Sequence, residues 1–267
     1  MRSIALPLGL ALFSAACATT PGGVAEAERD RYENVNRAIY KFNKGLDTAI
    51  IKPTTTIYRA AVPAAARRGA SNALDNVDEP LSFINALLQG KVKSAFRAAD
   101  RFLINSTLGV GGLADHATDM GLPKQEEDFG QTLAAWGIGS GPYIMLPLLG
   151  PSTLRDTVGF GVDSVTDPWP RFQKHGIGLS GRQRLAVTAF EAIDLRSRLV
   201  DTADPLLESA LDEYATVRAA YLQQRITEIY DGDPPEDYQT PAFSDEPSAA
   251  ADSGAPPTEA ADPPPGG

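Results

Sequence analysis

YENVNRAIYKFNKGLDTA, residues 32–49, places Tyr32, Val35, Ile39, Phe42, Leu46 and Ala49 at alternating steps of three and four. That spacing predicts a helix with one continuous apolar seam. Working towards the C-terminus, Pro53 is expected to end it, and Val62-Pro63 marks another boundary because the residue before proline disfavours helical backbone. A shorter helix is predicted over residues 64–76. Glu79-Pro80 opens the next, with Leu81, Ile84, Leu87 and Leu88 on one face and Gly90 as its C-cap. Residues 91–104 read as helix again, with Val92, Phe96, Ala99 and Leu103 in register. Further on, Ser180 and Gln183 form a capping box before a helix running to Val200. Asp204-Pro205 then starts a helix carrying Leu207, Leu211, Tyr214, Val217, Tyr221 and Ile229. No useful length shows strand alternation, so the expected class is all-α with a loop-rich middle.

That middle is a run of 26 residues, 129–154, without a charge. Its length and polarity suit a membrane, yet its five Gly and three Pro rule out an ordinary spanning helix, since interrupted backbone in lipid leaves polar groups unpaired. Two readings stand: a re-entrant hairpin that dips into lipid or lines a cavity, which is favoured, and a buried loop over the core.

The ends of the chain differ from its centre. Arg2, a ten-residue apolar run over residues 4–13, and Ser14-Ala15-Ala16 before Cys17 have the layout of a secretory signal. Cys17 is the single cysteine, so it has no intramolecular disulfide partner. Ser14-Ala15-Ala16-Cys17 resembles the lipobox of bacterial lipoproteins, with Ser14 where Leu is usual. That resemblance implies lipid attachment at Cys17, and Ala18 in place of Asp implies the outer membrane as destination, on its periplasmic side. At the other end, residues 231–267 hold nine Pro, nine Asp or Glu and no Lys or Arg, and are expected to be disordered. The tail accounts for most of the net charge of −10. The expected organisation is a signal over residues 1–16, a tether over 17–29, one helical domain over 30–230 and the tail.

Chemistry of the usual enzymatic kinds is hard to assemble. The two histidines, His116 and His175, lack metal-ligand spacing. Ser180 does not sit in a nucleophile elbow and is better explained as a helix cap. Glu126-Glu127-Asp128 reads as a solvated charge run, and the basic residues form no stripe suited to nucleic acid. Neither a catalytic site nor a cofactor or metal is expected. Asn36 and Asn43, seven apart beside Val35 and Phe42, are either surface or cross-linking residues, or a polar strip lining an amphiphilic passage.

Several strings resemble the MlaA/VacJ family of outer-membrane lipoproteins: Asn36-Arg37 with Phe42-Asn43, Lys52-Pro53, Glu79-Pro80 through Leu88-Gln89-Gly90, and residues 101–109, 127–133, 139–143 and 150–156. They run in order from about residue 32 to 230. The resemblance implies a ring of helices with a central amphiphilic channel. It implies removal of phospholipids mislocalised to the outer leaflet and their transfer to a soluble periplasmic carrier; several members associate with trimeric porins. On that basis Asn36, Phe42 and Asn43 are candidate channel-lining residues. Gly137, Gly139, Gly141 and Gly150 would hinge a membrane-facing gating hairpin that Pro142, Tyr143 and Pro147 stiffen and anchor. The competing readings are a lipoprotein that only docks a porin or envelope partner, and a phospholipid hydrolase.

Overall fold

The computed structural model describes residues 30–235. Cys17, the signal, the tether and nearly all of the acidic tail lie outside the described residues. Contacts divide the chain into one unit ending at Pro234 and a second from Pro235 onward. Every helix and strand of the described residues belongs to the first.

Helix α1 (Glu33–Leu46) continues through a π-turn (Asp47–Ile51) into α2 (Lys52–Ala61). Pro53 therefore does not end the helix. A proline lacks an N–H and crowds the carbonyl four residues back, and the wider π-turn just before it takes up both defects. Val62 is extended, as a pre-proline residue should be, and breaks the chain. Helix α3 (Ala64–Leu88) is a single element with Pro80 inside it, where the sequence predicts two. Side chains flanking Pro80 hold it together: Glu79 is paired with Arg101 at 2.5 Å, and Asn85 donates to Asp163 at 3.1 Å. Gly90, at φ +76°, turns the chain into α4 (Val92–Thr107). The buried alanines Ala86, Ala95 and Ala98 let α3 and α4 pack closely.

Two short helices follow, α5 (His116–Asp119) and α6 (Phe129–Ala135), capped by Asp115 and Asp128. Next comes a β-hairpin of β1 (Tyr143–Leu146) and β2 (Gly150–Thr153), antiparallel with Tyr143 opposite Thr153. This two-stranded sheet is the departure from an all-α reading; four-residue strands are too short to show alternation. Helices α7 (Leu154–Thr166) and α8 (Pro168–Arg171) precede a π-turn (Phe172–Gly176) and α9 (Gly181–Leu199), whose Ser180–Gln183 capping box forms as predicted. The last predicted helix is split into α10 (Ala203–Ser209) and α11 (Glu213–Ile229), the second capped by Asp212. Helices α6 and α7 meet backbone to backbone at Gly159, where a Cβ would lie 2.4 Å from the Gly130 nitrogen.

Contacts between elements close a circuit. From α1 it passes to β1, β2, α11, α6, α3, α9 and α2, and returns to α1 through the first π-turn. Polarity along that circuit is inverted relative to a water-soluble domain. Among the described residues, buried polar side chains outnumber buried apolar ones, and include Asn36, Glu79, Asn85, Arg101, Glu127 and Arg225. The buried apolar cluster is small and joins β1 to α11: Tyr143, Met145, Tyr214 and Leu222. Meanwhile the apolar faces read from the sequence point outward. Val35 and Phe42 of α1, Leu87 and Leu88 of α3, and Val92, Phe96 and Leu103 of α4 are all exposed.

Candidate functional site

The hairpin is held along α1 by two asparagine amides. Asn36 Nδ2 donates to the Tyr143 carbonyl at 3.1 Å, and its Oδ1 accepts from the Met145 N–H at 2.9 Å. Asn43 repeats the pattern at the tip, donating to the Leu146 carbonyl at 2.9 Å and accepting from the Leu148 N–H at 2.8 Å. The Tyr143 and Met145 groups lie on the edge of β1 away from β2, and Asn36 satisfies them, while Asn43 holds the end of the strand and the turn beyond it.

At the base of the hairpin, Tyr143 is fully buried between the rings of Tyr214 and Tyr221. Thr153 caps α7 and binds Asp156, which receives Arg225 at 3.1 Å. Arg225 also forks onto Asp128 at 2.6 and 2.7 Å, so α11 is tied to the first turns of both α6 and α7. Burial pushes the Asp128 and Asp156 carboxyls upward, but hydrogen bonds and charge from Arg225 outweigh it and hold both below the usual carboxylate range. The Arg225 guanidinium is correspondingly raised despite its burial. The run Glu126-Glu127-Asp128 is thus not solvated as expected. Glu127 is 3% exposed and held by Lys91 at 3.1 Å and Gln89 at 2.8 Å, whereas Glu126 is exposed and Asp128 partly so. Glu127, Asp128 and Asp156 are tolerated as carboxylates here because each has a cationic partner.

Between α1, the hairpin and α9–α11 lies a cavity of about 650 Å³. Met145, Pro151, Leu199, Leu207 and Val217 give it apolar walls, and Tyr40, Asn43, Asp47, Arg196 and Glu208 give it polar ones. Lys44 pairs with Glu213, and Arg196 bridges Asp47 at 2.9 Å and Asp204 at 2.8 Å. On the outer side of α1 a separate shallow groove is lined by Val35, Ala38, Ile39, Phe42 and Pro147 and is almost wholly apolar.

The three asparagine-strip candidates therefore part company. Asn43 borders the cavity. Phe42, one residue away and about 100° round the helix, lies on the outer groove instead. Asn36 is 1% exposed with its amide spent on the hairpin, so it cross-links the fold and does not line an open space. The hairpin candidates divide as well. Gly137 and Gly141 have positive φ near the base; a Cβ on Gly141 would lie 3.1 Å from Leu154. Gly139 sits half-buried between them, and Pro142 accepts from the Leu154 N–H at 3.0 Å. Pro147 is exposed at the tip with Leu148 and Leu149, and Gly150, at φ +93°, closes the turn. The charged wall formed by Asp47, Arg196, Asp204 and Glu208 escapes sequence reasoning, since its members come from separate segments.

Among the described residues no group of His, Cys, Asp or Glu is arranged to hold a metal ion. Ser180 is engaged in its cap, and His116 lies in α5 beside Asp119 at 3.7 Å. No helix of the described residues is long and apolar enough to cross a membrane.

A sequence profile described as MlaA lipoprotein matches residues 28–228. An intermembrane phospholipid transport system lipoprotein of Escherichia coli K12 is 36% identical over 229 residues, spanning 84% of this chain and 87% of its own length. Its counterpart in Haemophilus influenzae is 33% identical over 236 residues, spanning 86% and 92%. A solved structure described as the structural basis for maintenance of bacterial outer membrane lipid asymmetry superposes with a TM-score of 0.64 at 35% identity. It covers 76% of this chain and 99% of the solved one.

Proposed function

The chain belongs to the MlaA lipoprotein family, and from that premise we propose that it moves phospholipids between membranes and so maintains the lipid asymmetry of the outer membrane. It takes phospholipids mislocalised to the outer leaflet into the cavity between α1, the hairpin and α9–α11. It then releases them to a soluble carrier on the periplasmic side. Acyl chains on Cys17 would deliver and orient the protein at the outer membrane, and a trimeric porin is a suitable neighbour for its outward apolar faces. Lipids are carried and no bond is made or broken.

One observation carries the proposal: the polarity of the fold is inverted. Contiguous outward faces bearing Val35, Phe42, Leu88, Phe96 and Leu103 would promote association in water, whereas against acyl chains they are matched. The buried Asn, Arg and Glu side chains find partners inside, as a fold set into lipid requires. Since none of the described helices is a spanning one, these amphipathic faces suit a fold embedded in one side of a bilayer. A docking lipoprotein would share such faces, but would have no use for a partly enclosed cavity with apolar and charged walls.

The test is complementation. In a cell lacking the gene, expression of this chain should lower outer-leaflet phospholipid to the wild-type level. A chain that reaches the outer membrane and leaves that level unchanged would overturn the reading.

A further inference from the structure

The charges around the cavity are nearly all engaged with one another. Of its three cations, Lys44 faces Glu213, Lys52 faces Asp204 at 3.3 Å, and Arg196 faces Asp47 and Asp204. Carboxylates exceed cations on this wall. Glu208, exposed on α10, makes no ion pair among the described residues. A phosphate brought into this space would compete with a carboxylate at every cation. An ammonium group meets Glu208 unopposed.

Resting on the lipid-transport reading above, we propose that the cavity selects phospholipids by an ammonium-bearing, zwitterionic headgroup, with Glu208 receiving the ammonium. A zwitterion of zero net charge can place its phosphate beside Lys44, Lys52 or Arg196 while its ammonium meets Glu208 or Glu213. A headgroup with a polyol in place of the amine carries a net negative charge into a wall that is already negative. Like charges in a partly enclosed space with apolar walls repel more strongly than in bulk water. The apolar residues Met145, Leu199, Leu207 and Val217 accept the acyl chains of either lipid and contribute nothing to the choice.

The experiment uses the full-length lipidated protein in vesicles with equal amounts of phosphatidylethanolamine and phosphatidylglycerol. Both carry the same photoactivatable acyl chain, and crosslinked peptides from α9–α11 and the hairpin are quantified by mass spectrometry. The ethanolamine lipid should be captured over the glycerol lipid by roughly fivefold, equivalent to about 1 kcal/mol. Glu208→Gln, close to isosteric, should bring the ratio towards one, and Glu208→Lys should reverse it. Equal capture by the wild-type protein, or a ratio unmoved in both variants, would overturn the headgroup selection and leave transport standing. Capture of neither lipid on cavity peptides would count against the transport reading itself.

Discussion

Asn43 repeats on Leu146 and Leu148 the pair of hydrogen bonds that Asn36 makes to Tyr143 and Met145. The two grips differ in setting. Asn36 takes the Tyr143 C=O and the Met145 N–H, two residues apart on one edge of β1. Leu148 lies past the end of β1, in the turn at φ +68°, where its N–H reaches Asn43. Each carboxamide presents a donor and an acceptor, as a backbone peptide does, so α1 holds both the strand and its turn with side chains. The arrangement places the apolar tip, Pro147 to Leu149, at the end of a held strand.

Asn36→Ala should leave the Met145 N–H and Tyr143 C=O buried without partners, at a cost of about 1–3 kcal/mol. Asn43→Ala should cost less, because its bonds lie nearer solvent. Hydrogen exchange separates the two: Met145 should lose protection in the first variant and Leu148 in the second. Unchanged exchange at both amides would show that β2 alone holds the strand.

Arg225 ties Asp128 to Asp156, and its removal strands two carboxylates of which Asp156 is deeply buried. Arg225→Met should destabilise the fold by about 3–5 kcal/mol, the cost of breaking a buried pair from one side. Asp128→Asn should cost less, since Asp156 still opposes the guanidinium. Thermal unfolding in detergent gives both values.

The same network sets a pH dependence. Asp128 and Asp156 have folded-state pKa values below their ordinary ones. Between the folded and unfolded values the unfolded chain binds more protons. Their contribution is therefore complete above the unfolded carboxylate range near about pH 4 and is lost as pH falls through the folded values. Unfolding midpoints should drop on acidification below about pH 4, and the drop should be shallower in Asp128→Asn. An equal drop in that variant would place the acid sensitivity elsewhere.

Helix spacing, the Ser180 capping box and the Gly90 terminus were legible in the sequence because each is a local signal. Pro53 and Pro80 misled because proline's local penalty was overridden by a π-turn in one case and by tertiary partners such as Arg101 in the other. The direction of the apolar faces was not legible. Periodicity finds the stripe of Val92, Phe96 and Leu103 but is the same whether that stripe meets a core or a lipid. The cavity wall was hidden for a further reason: Asp47, Arg196 and Glu208 are not adjacent in sequence and join only when the circuit of helices closes.

Gly159 offers a test of packing independent of charge. A Cβ there would fall 2.4 Å from the Gly130 nitrogen and 2.7 Å from its Cα, and neither atom belongs to a flexible side chain. Gly159→Ala should push α7 from α6 at a cost of about 1–3 kcal/mol. Gly161→Ala, two residues on with nothing within 4 Å, is the matched control and should be neutral or slightly stabilising, since alanine favours helix.

The outward faces separate attachment by the fold from attachment by acyl chains. Cys17→Ala removes the proposed lipidation site, yet the variant should still float with vesicles through α1, α3 and α4. Adding Phe96→Glu and Leu103→Glu puts two charges on the exposed face of α4, where neither side chain contributes to the core. Because both positions are surface ones, unfolding in detergent should change by no more than about 0.5 kcal/mol each. Flotation should fall sharply, since charge in an acyl environment is costly. A triple variant that floats as well as Cys17→Ala would mean that α4 does not face lipid. Its apolar stripe would then belong to a contact with another protein, and the docking role would gain the weight that the transport role lost.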